Sequence, residues 1–129
     1  MIVDTSFLID LLTREESAME KAKEMEDENI GYSVPSPALY EAWMGIRRGE
    51  VSGREEEELL EIIESQPVSK LGKEESEEAG KIQGELIDEG ERIGHMDALI
   101  AGIARSKGRK ILTSDEDFDK VEGLVVRDY

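Results

Sequence analysis

The chain has no cysteine and a single histidine, His95, among its 129 residues. Lack of cysteine excludes disulfides and thiolate metal sites. Any metal must then be held by oxygen ligands or by His95, and oxygen ligands favour Mg²⁺, Mn²⁺ or Ca²⁺. No apolar run approaches the roughly 18 residues that span a bilayer, and the start lacks a basic stretch followed by a long apolar one. No membrane segment or secretory leader is therefore expected, and the cytoplasm is the expected location. Basic residues are scarce as well: 16 against 32 acidic ones, a formal net charge of −16. A field of that sign repels phosphate backbones, which argues against a general nucleic-acid-binding surface driven by counterion release. A metal-assisted reaction on nucleic acid stays open, because a salt-rich medium shortens the Debye length to about 3 Å at 1 M. The acidity itself has two readings, a surface kept soluble in a saline cytoplasm or one that receives a basic partner, and both can hold together.

What is present suits one domain. A chain of this length removes roughly two thirds of its extended surface from water on folding, so one core is expected over residues 1–129. Internal repeats and low-complexity tracts are absent. The opening Met1-Ile-Val reads as a short buried strand ending at Asp4, and Phe7, Leu8, Leu11 and Leu12 then share one helix face. Thr13 and Glu16 have capping-box spacing, predicting a second helix to about Glu28 with Ala18, Ala22 and Met25 inward. A strand follows over Ile30 to Val34. Ser36-Pro37 reads as an N-cap and first helical residue, ahead of an apolar stripe of Leu39, Ala42, Trp43 and Ile46. Ser52 and Glu55 form another capping box, for a helix carrying Leu59, Ile62 and Ile63 and ending at Gln66-Pro67; a short strand near Val68 comes next. Lys73 to Asp88 is amphipathic through Ala79, Ile82, Leu86 and Ile87, and the segment Met96 to Ala104 is apolar on nearly every side, as in a central buried helix. Strands are expected at Lys110 to Thr113 and Leu124 to Val126, with a turn or short helix at Asp115 to Asp119. Short strands alternating with helices indicate an α/β domain with a mostly parallel sheet. Glu-rich runs such as REEEELLEIIE are the wet faces of helices, being interleaved with apolar residues at helical spacing.

Three acids stand out from that wet surface. In an open parallel sheet, ligands bind at the carboxyl ends of strands. Asp4 ends the first strand and Asp115 lies just past the strand at Leu112-Thr113, so the two converge if those strands are neighbours. Asp97 sits in the first turn of the apolar helix, where the helix dipole welcomes an anion but solitary charge is costly. Each has a plainer reading: Asp4 and Asp115 as caps of the segments they precede, Asp97 as a charge at a helix start. Glu41 points opposite its helix's apolar stripe, and periodicity alone assigns it to the surface. Taken together, clustered carboxylates with no Lys or Arg beside them repel by about 4 kcal/mol per pair at 4 Å and an effective dielectric near 20, and such clusters persist mainly where divalent cations neutralise them.

The succession IVDTSFLIDLL, PSPALYEAW, HMDALIAGIA and ILTSDEDFDKV resembles a PIN domain over essentially the whole chain, and the short length is similar to that of VapC-type toxins of toxin–antitoxin pairs. The resemblance implies a five-stranded, mostly parallel sheet flanked by helices, with Asp4, Glu41, Asp97 and Asp115 binding Mg²⁺ or Mn²⁺ for RNA hydrolysis. It also implies that Ser6 supports the metal shell or the scissile phosphate, with Thr113 alike. Asp117 and Asp119 extend the acidity, and the family pattern gives them a structural role. His95 falls where the family is variable and reads as a local structural residue. Arg14, Arg47 and Arg48 are the basic residues expected near the mouth, with surface charge as the default reading and phosphate contact as the sharper one. As partners, the resemblance implies a homodimer and an antitoxin covering the pocket, and charge complementarity gives that antitoxin a basic tail.

Rival classes leave traces that can be checked. A phospho-receiver module needs a lysine after a late strand, and none follows Leu124 to Val126. A calcium loop beginning at Asp115 requires Gly and a carboxylate where Lys120 and Val126 stand. A housekeeping RNA-processing nuclease on the same fold, or an idle fold serving partner binding, remains as the alternative.

Overall fold

The computed structural model describes residues 1–129. Ile2 and Val3 are fully buried and form β1 (Ile2–Val3), which pairs in parallel with β4 (Ile111–Leu112), and β4 pairs in turn with β5 (Val126–Arg127). On the other side, β2 (Val34–Pro35) pairs in parallel with β3 (Val68–Ser69), and an Ile2–Ser33 bridge joins the two halves. The spatial order is therefore β3-β2-β1-β4-β5. This is the expected five-stranded parallel sheet. Its direction of travel reverses beside β1, between β4 and β2, and such a switch point opens a crevice at the carboxyl ends of the strands.

Helices α1 (Thr5–Leu12), α2 (Glu16–Asp27), α3 (Ser36–Arg47), α4 (Gly53–Ser65), α5 (Lys73–Asp88) and α6 (His95–Ser106) alternate with the strands, and a 3-10 turn (Glu116–Lys120) follows β4. Helix α6 is the central one predicted from its apolar sequence: Ala98, Ile100, Ala101, Gly102, Ile103 and Ala104 are all buried. The core also takes Phe7 and Leu8 from α1, Ile82 and Leu86 from α5, and Phe118 from the 3-10 turn. No helix is long and apolar enough to cross a membrane.

Several local expectations are corrected. Thr13 does not cap α2; it closes α1, its hydroxyl donating to the Ile9 carbonyl at 3.0 Å, while Arg14 takes a left-handed φ of 59° and Glu15 N–H bonds to Asp10 O at 2.8 Å. Ile30 is not in a strand, because Asn29, at φ 55°, ends α2 in the same way and Ile30 N–H returns to Met25 O at 2.7 Å. The last strand begins two residues later than expected, at Val126. Ser36 opens α3 but does not cap it; its hydroxyl donates to Ser69 O at 3.1 Å and accepts from Leu71 N–H, tying α3 to β3. The Ser52/Glu55 capping box forms as read.

Two helices keep most of the expected inward face and depart from it at single residues. On α5, Gln83 is buried and Ile87 is exposed. On α3, Ala38 and Ala42 are buried while Trp43 is 44% exposed beside exposed Tyr40 and Met44. Leu39 and Ile46 pack against the core clusters as expected, so of the stripe only Trp43 turns outward, and Glu41, one position before Ala42, is half-buried. The tightest approach joins α5 and α6, where a Cβ built on Gly102 would stand 2.6 Å from the Ala79 backbone nitrogen. Backbone cannot yield as a side chain does. Gly102→Ala is therefore expected to lower stability by about 1–3 kcal/mol, read as a reduced midpoint in urea unfolding; an unchanged midpoint would show that the helices part freely here.

Candidate active site

The chain leaves β1 directly into α1, and Asp4 occupies the junction. Its side chain is 3% exposed. Oδ1 accepts the Thr5 N–H at 2.7 Å, capping α1, while Oδ2 accepts the hydroxyls of Thr113 at 2.8 Å and Ser6 at 3.0 Å. Parallel pairing of Val3 with Leu112 sets this contact, since it brings Thr113 beside Asp4. The capping reading of Asp4 is thus realised, and the same carboxylate meets Thr113 at the end of β4. Burial pushes its pKa up, and Asp115 adds to the rise, while the hydrogen bonds from Thr113, Ser6 and Thr5 oppose it.

From Thr113 the order continues along the loop. The Thr113 hydroxyl oxygen accepts Asp115 N–H at 3.0 Å, and Asp115 Oδ1 accepts Asp117 N–H at 2.9 Å. Asp115 thereby caps the 3-10 turn. Its side chain remains half-buried at the strand end, alongside Asp117. Carboxylate oxygens of Asp97, Asp115 and Asp117 all lie within 4.8 Å of one another. Asp117, read from the sequence as a supporting residue, is therefore a full member of the cluster. Lys120 stands at its rim, 3.1 Å from Asp117 and 3.7 Å from Glu91.

Asp97 is the exposed nerve of this arrangement. It lies in the first turn of α6, half-buried, and accepts no hydrogen bond from any protein donor. Burial, followed by the negative charges of Asp4, Asp115, Glu41 and Asp117, raises its pKa to about 7. Glu41, which periodicity had assigned to the surface, reaches the same neighbourhood from α3, where Thr5 Oγ1 donates to Glu41 Oε1 at 2.7 Å. Thr5 does not stand out in the sequence, where it reads only as the first residue of a helix. Asp10 and Tyr129 were missed too: the Tyr129 phenol donates to Asp10 at 2.6 Å, approaches Ser6 Oγ at 3.5 Å and packs edge-on against Phe7.

The sequence-derived acids Asp4, Glu41, Asp97 and Asp115 thus come together with Ser6, Thr113 and Asp117. The three arginines do not join them. Arg14 pairs with Glu58 of α4 at 3.0 Å, Arg48 pairs with Glu50 at 3.4 Å, and Arg47 is exposed in the last turn of α3. His95 is exposed at the start of α6 and contributes no ligand to the cluster. The donor set consists wholly of carboxylate and hydroxyl oxygens, which suits a hard divalent cation, and an undonated Asp97 among like charges is a group that such a cation would satisfy.

The raised pKa fixes the sign of a stability effect. Between the ordinary carboxylate value of 3.8 and about 7, the folded chain holds a proton at Asp97 that the unfolded chain has released, so stability falls as pH rises through this window. Asp97→Asn removes that dependence. In EDTA, the variant is expected to gain on the natural chain as pH climbs from 4 to 7 and to keep a constant lead above 7; urea titrations that run parallel at every pH would show that Asp97 is not held against its charge.

Comparison with known proteins agrees with this geometry. A family model described as PIN domain matches residues 1–124. A tRNA(fMet)-specific endonuclease VapC of Shigella flexneri is 41% identical over 51 residues, a match spanning 39% of this chain and 39% of the relative. Among solved structures, the fold resembles VapBC2 from Rickettsia felis bound to a promoter DNA fragment, with TM-score 0.87, 17% identity and coverage of 99% of this chain and 97% of that one. It also resembles DNA-bound VapBC from Salmonella typhimurium, with TM-score 0.79, 24% identity and coverage of 98% and 96%. A sheet that reverses direction beside β1, a set of acids gathered at that point and a family match across nearly every residue lead to one assignment: the chain belongs to the PIN domain family.

Proposed function

We propose that this chain is a divalent-cation-dependent endoribonuclease, the toxin half of a VapC-type toxin–antitoxin pair. One observation carries the reading: Asp97, half-buried and without a hydrogen-bond donor, is held among Asp115 and Asp117 with ligand oxygens within 4.8 Å. Membership of the PIN family and the endonuclease named among its relatives support the same chemistry.

Asp97, Asp115 and Asp117 would hold Mg²⁺ or Mn²⁺, with Asp4 and Glu41 bordering it. Oδ1 of Asp4 accepts a single bond and keeps a lone pair for the site. A cation bound there supplies a water of lowered pKa and neutralises charge on the phosphate. The chain's own groups do the rest. Thr5 engages Oε1 of Glu41, which leaves Oε2 to take the proton of the attacking water. Ser6 and Thr113 each donate to Asp4 Oδ2, so they serve by fixing Asp4. Water adds to phosphorus in line, the P–O bond to the leaving ribose oxygen of the RNA strand breaks, that oxygen takes a proton from solvent, and no covalent enzyme intermediate is required. Arg14, Arg47 and Arg48 stay as candidates for phosphates farther along the RNA.

The substrate class is RNA in the cytoplasm, with tRNA the first to try. Incubated with total tRNA and rRNA, the protein is expected to cleave in Mg²⁺ or Mn²⁺, to stop in EDTA, and to lose at least about a hundredfold of its rate in Asp97→Asn, a magnitude typical of a lost charge-stabilising group. Full cation-dependent cleavage by Asp97→Asn would end this mechanism.

The family resemblance supports a homodimer, and charge supports an antitoxin whose tail is basic: a net charge of −16 attracts cationic segments, and an Arg or Lys among the carboxylates would neutralise them in place of a metal. Association with the antitoxin is expected to slow as salt rises from 50 to 500 mM; on-rates by surface plasmon resonance that stay flat over this range would remove the electrostatic part of the assignment.

A further inference from the structure

The approach to α6 carries a polar side chain that the hydrolysis does not use. Gln83 faces inward on α5, among Ala79, Ile82 and Leu86, where an apolar residue would be the ordinary choice. Its amide grips one residue at both ends: Nε2 donates to the Ile93 carbonyl at 2.6 Å, and Oε1 accepts the Ile93 N–H at 3.2 Å. Neither backbone group of Ile93 has another partner, and both bonds are buried. Ile93 itself is 4% exposed and joins the core.

We infer that Gln83 is a positioning residue for Asp97. Ile93 is followed by Gly94, the N-cap of α6, and by His95, Met96 and Asp97 in the first turn. Gly94 makes no side-chain cap, and its carbonyl accepts Ala98 N–H at 3.0 Å, so the helix start is secured through the backbone alone. The Asp97 side chain accepts no hydrogen bond that would hold it. Asp4, Asp115, Glu41 and Asp117 all repel it. Its place must be imposed by the chain that carries it. The Ala79–Gly102 contact fixes the middle of α6 against α5, and the Gln83 grip on Ile93 fixes its beginning. The amide acts as a one-residue strand, satisfying donor and acceptor together as a paired backbone would. Without it, two buried backbone groups lose their partners and the first turn of α6 is free to back away from the other carboxylates.

This inference rests on the cation-site reading above, and the test separates the two. Gln83→Met keeps length and apolar fit while removing both bonds; Gln83→Glu keeps the acceptor for Ile93 N–H and loses the donor, and it carries the test should the first variant fold poorly. Mn²⁺ binding to the whole protein is followed by electron paramagnetic resonance, and exchange of the Ile93 amide by NMR. Leu59→Ala, in a separate small cluster with Leu12 and Ala42, serves as the control for lost stability. Gln83→Met is expected to weaken Mn²⁺ binding roughly tenfold, to speed Ile93 exchange, and to recover cleavage at saturating Mn²⁺. Leu59→Ala is expected to lower the melting temperature and leave Mn²⁺ affinity alone. Unchanged Mn²⁺ affinity in both Gln83 variants overturns the assignment while leaving the nuclease reading intact. A natural chain that takes up no Mn²⁺ removes the nuclease reading and this assignment with it.

Discussion

Mutual repulsion among carboxylates is the constraint around which this fold is arranged. Asp4, Glu41, Asp97, Asp115 and Asp117 arrive from the end of β1, α3, α6 and the segment after β4, and the other four each raise the cost of charging Asp97. Nothing in their mutual repulsion would assemble them; apolar packing elsewhere, with the hydroxyls of Thr5 and Thr113, imposes the assembly. Burial of Ile2, Val3, Ile111 and Leu112 pairs β1 with β4, and the buried face of α6 fixes where its first turn points. Core energy is thereby converted into electrostatic strain at the switch point of the sheet, a usual condition of functional sites.

The carboxylates are not treated alike. Asp4 is the most buried yet the best served, with a backbone N–H and two hydroxyls for its two oxygens. Glu41 and Asp115 each receive one donor. Asp97 receives none. That gradient separates scaffold from chemistry: an acid with all its donors supplied is held rigid and contributes field, whereas an acid with none is the point at which a cation gains most by binding. Hydroxyl residues therefore decide the layout as much as the acids do. Thr113 shows it best, donating to Asp4 and accepting from Asp115 N–H, so that one oxygen couples the ends of β1 and β4.

The sequence made the sheet, the six helices and the meeting of Asp4 with Asp115 legible because these depend on local signals: β-branched runs, helical periodicity and acids at strand ends. It concealed whatever depends on the phase of a face. On α3 the apolar period places Leu39, Ala42 and Ile46 correctly, but Trp43 is exposed and Ala38, outside the stripe, is buried. Glu41 accordingly looked exposed from periodicity and entered the site only through the family resemblance. Gln83 was invisible for a related reason, as a polar residue on a helix reads as solvated until its buried partner, ten residues on, is known. The Thr13 capping box failed by competition, because the same residue served as the end of α1. Asp117 was underrated because a residue two after a capping aspartate reads as turn chemistry, and here it is both turn and cluster.

The surface outside the pocket carries the same sign as the pocket, and this shapes what can enter. Glutamates line α4 and α5, and the chain as a whole is at −16. An RNA backbone approaching such a body gains nothing from long-range attraction, and at physiological salt the repulsion fades beyond roughly 8 Å. On the proposed reading, productive binding depends on short-range neutralisation inside the crevice, where a divalent ion would reverse the local sign for a phosphate. A cationic side chain from a partner would meet the same carboxylates with the same charge logic, but would bring no polarised water. Cation and basic tail are therefore competing solutions to one electrostatic problem. On the proposed reading, the pocket that makes the chain a nuclease when a metal fills it is silenced by the residue that fills it instead.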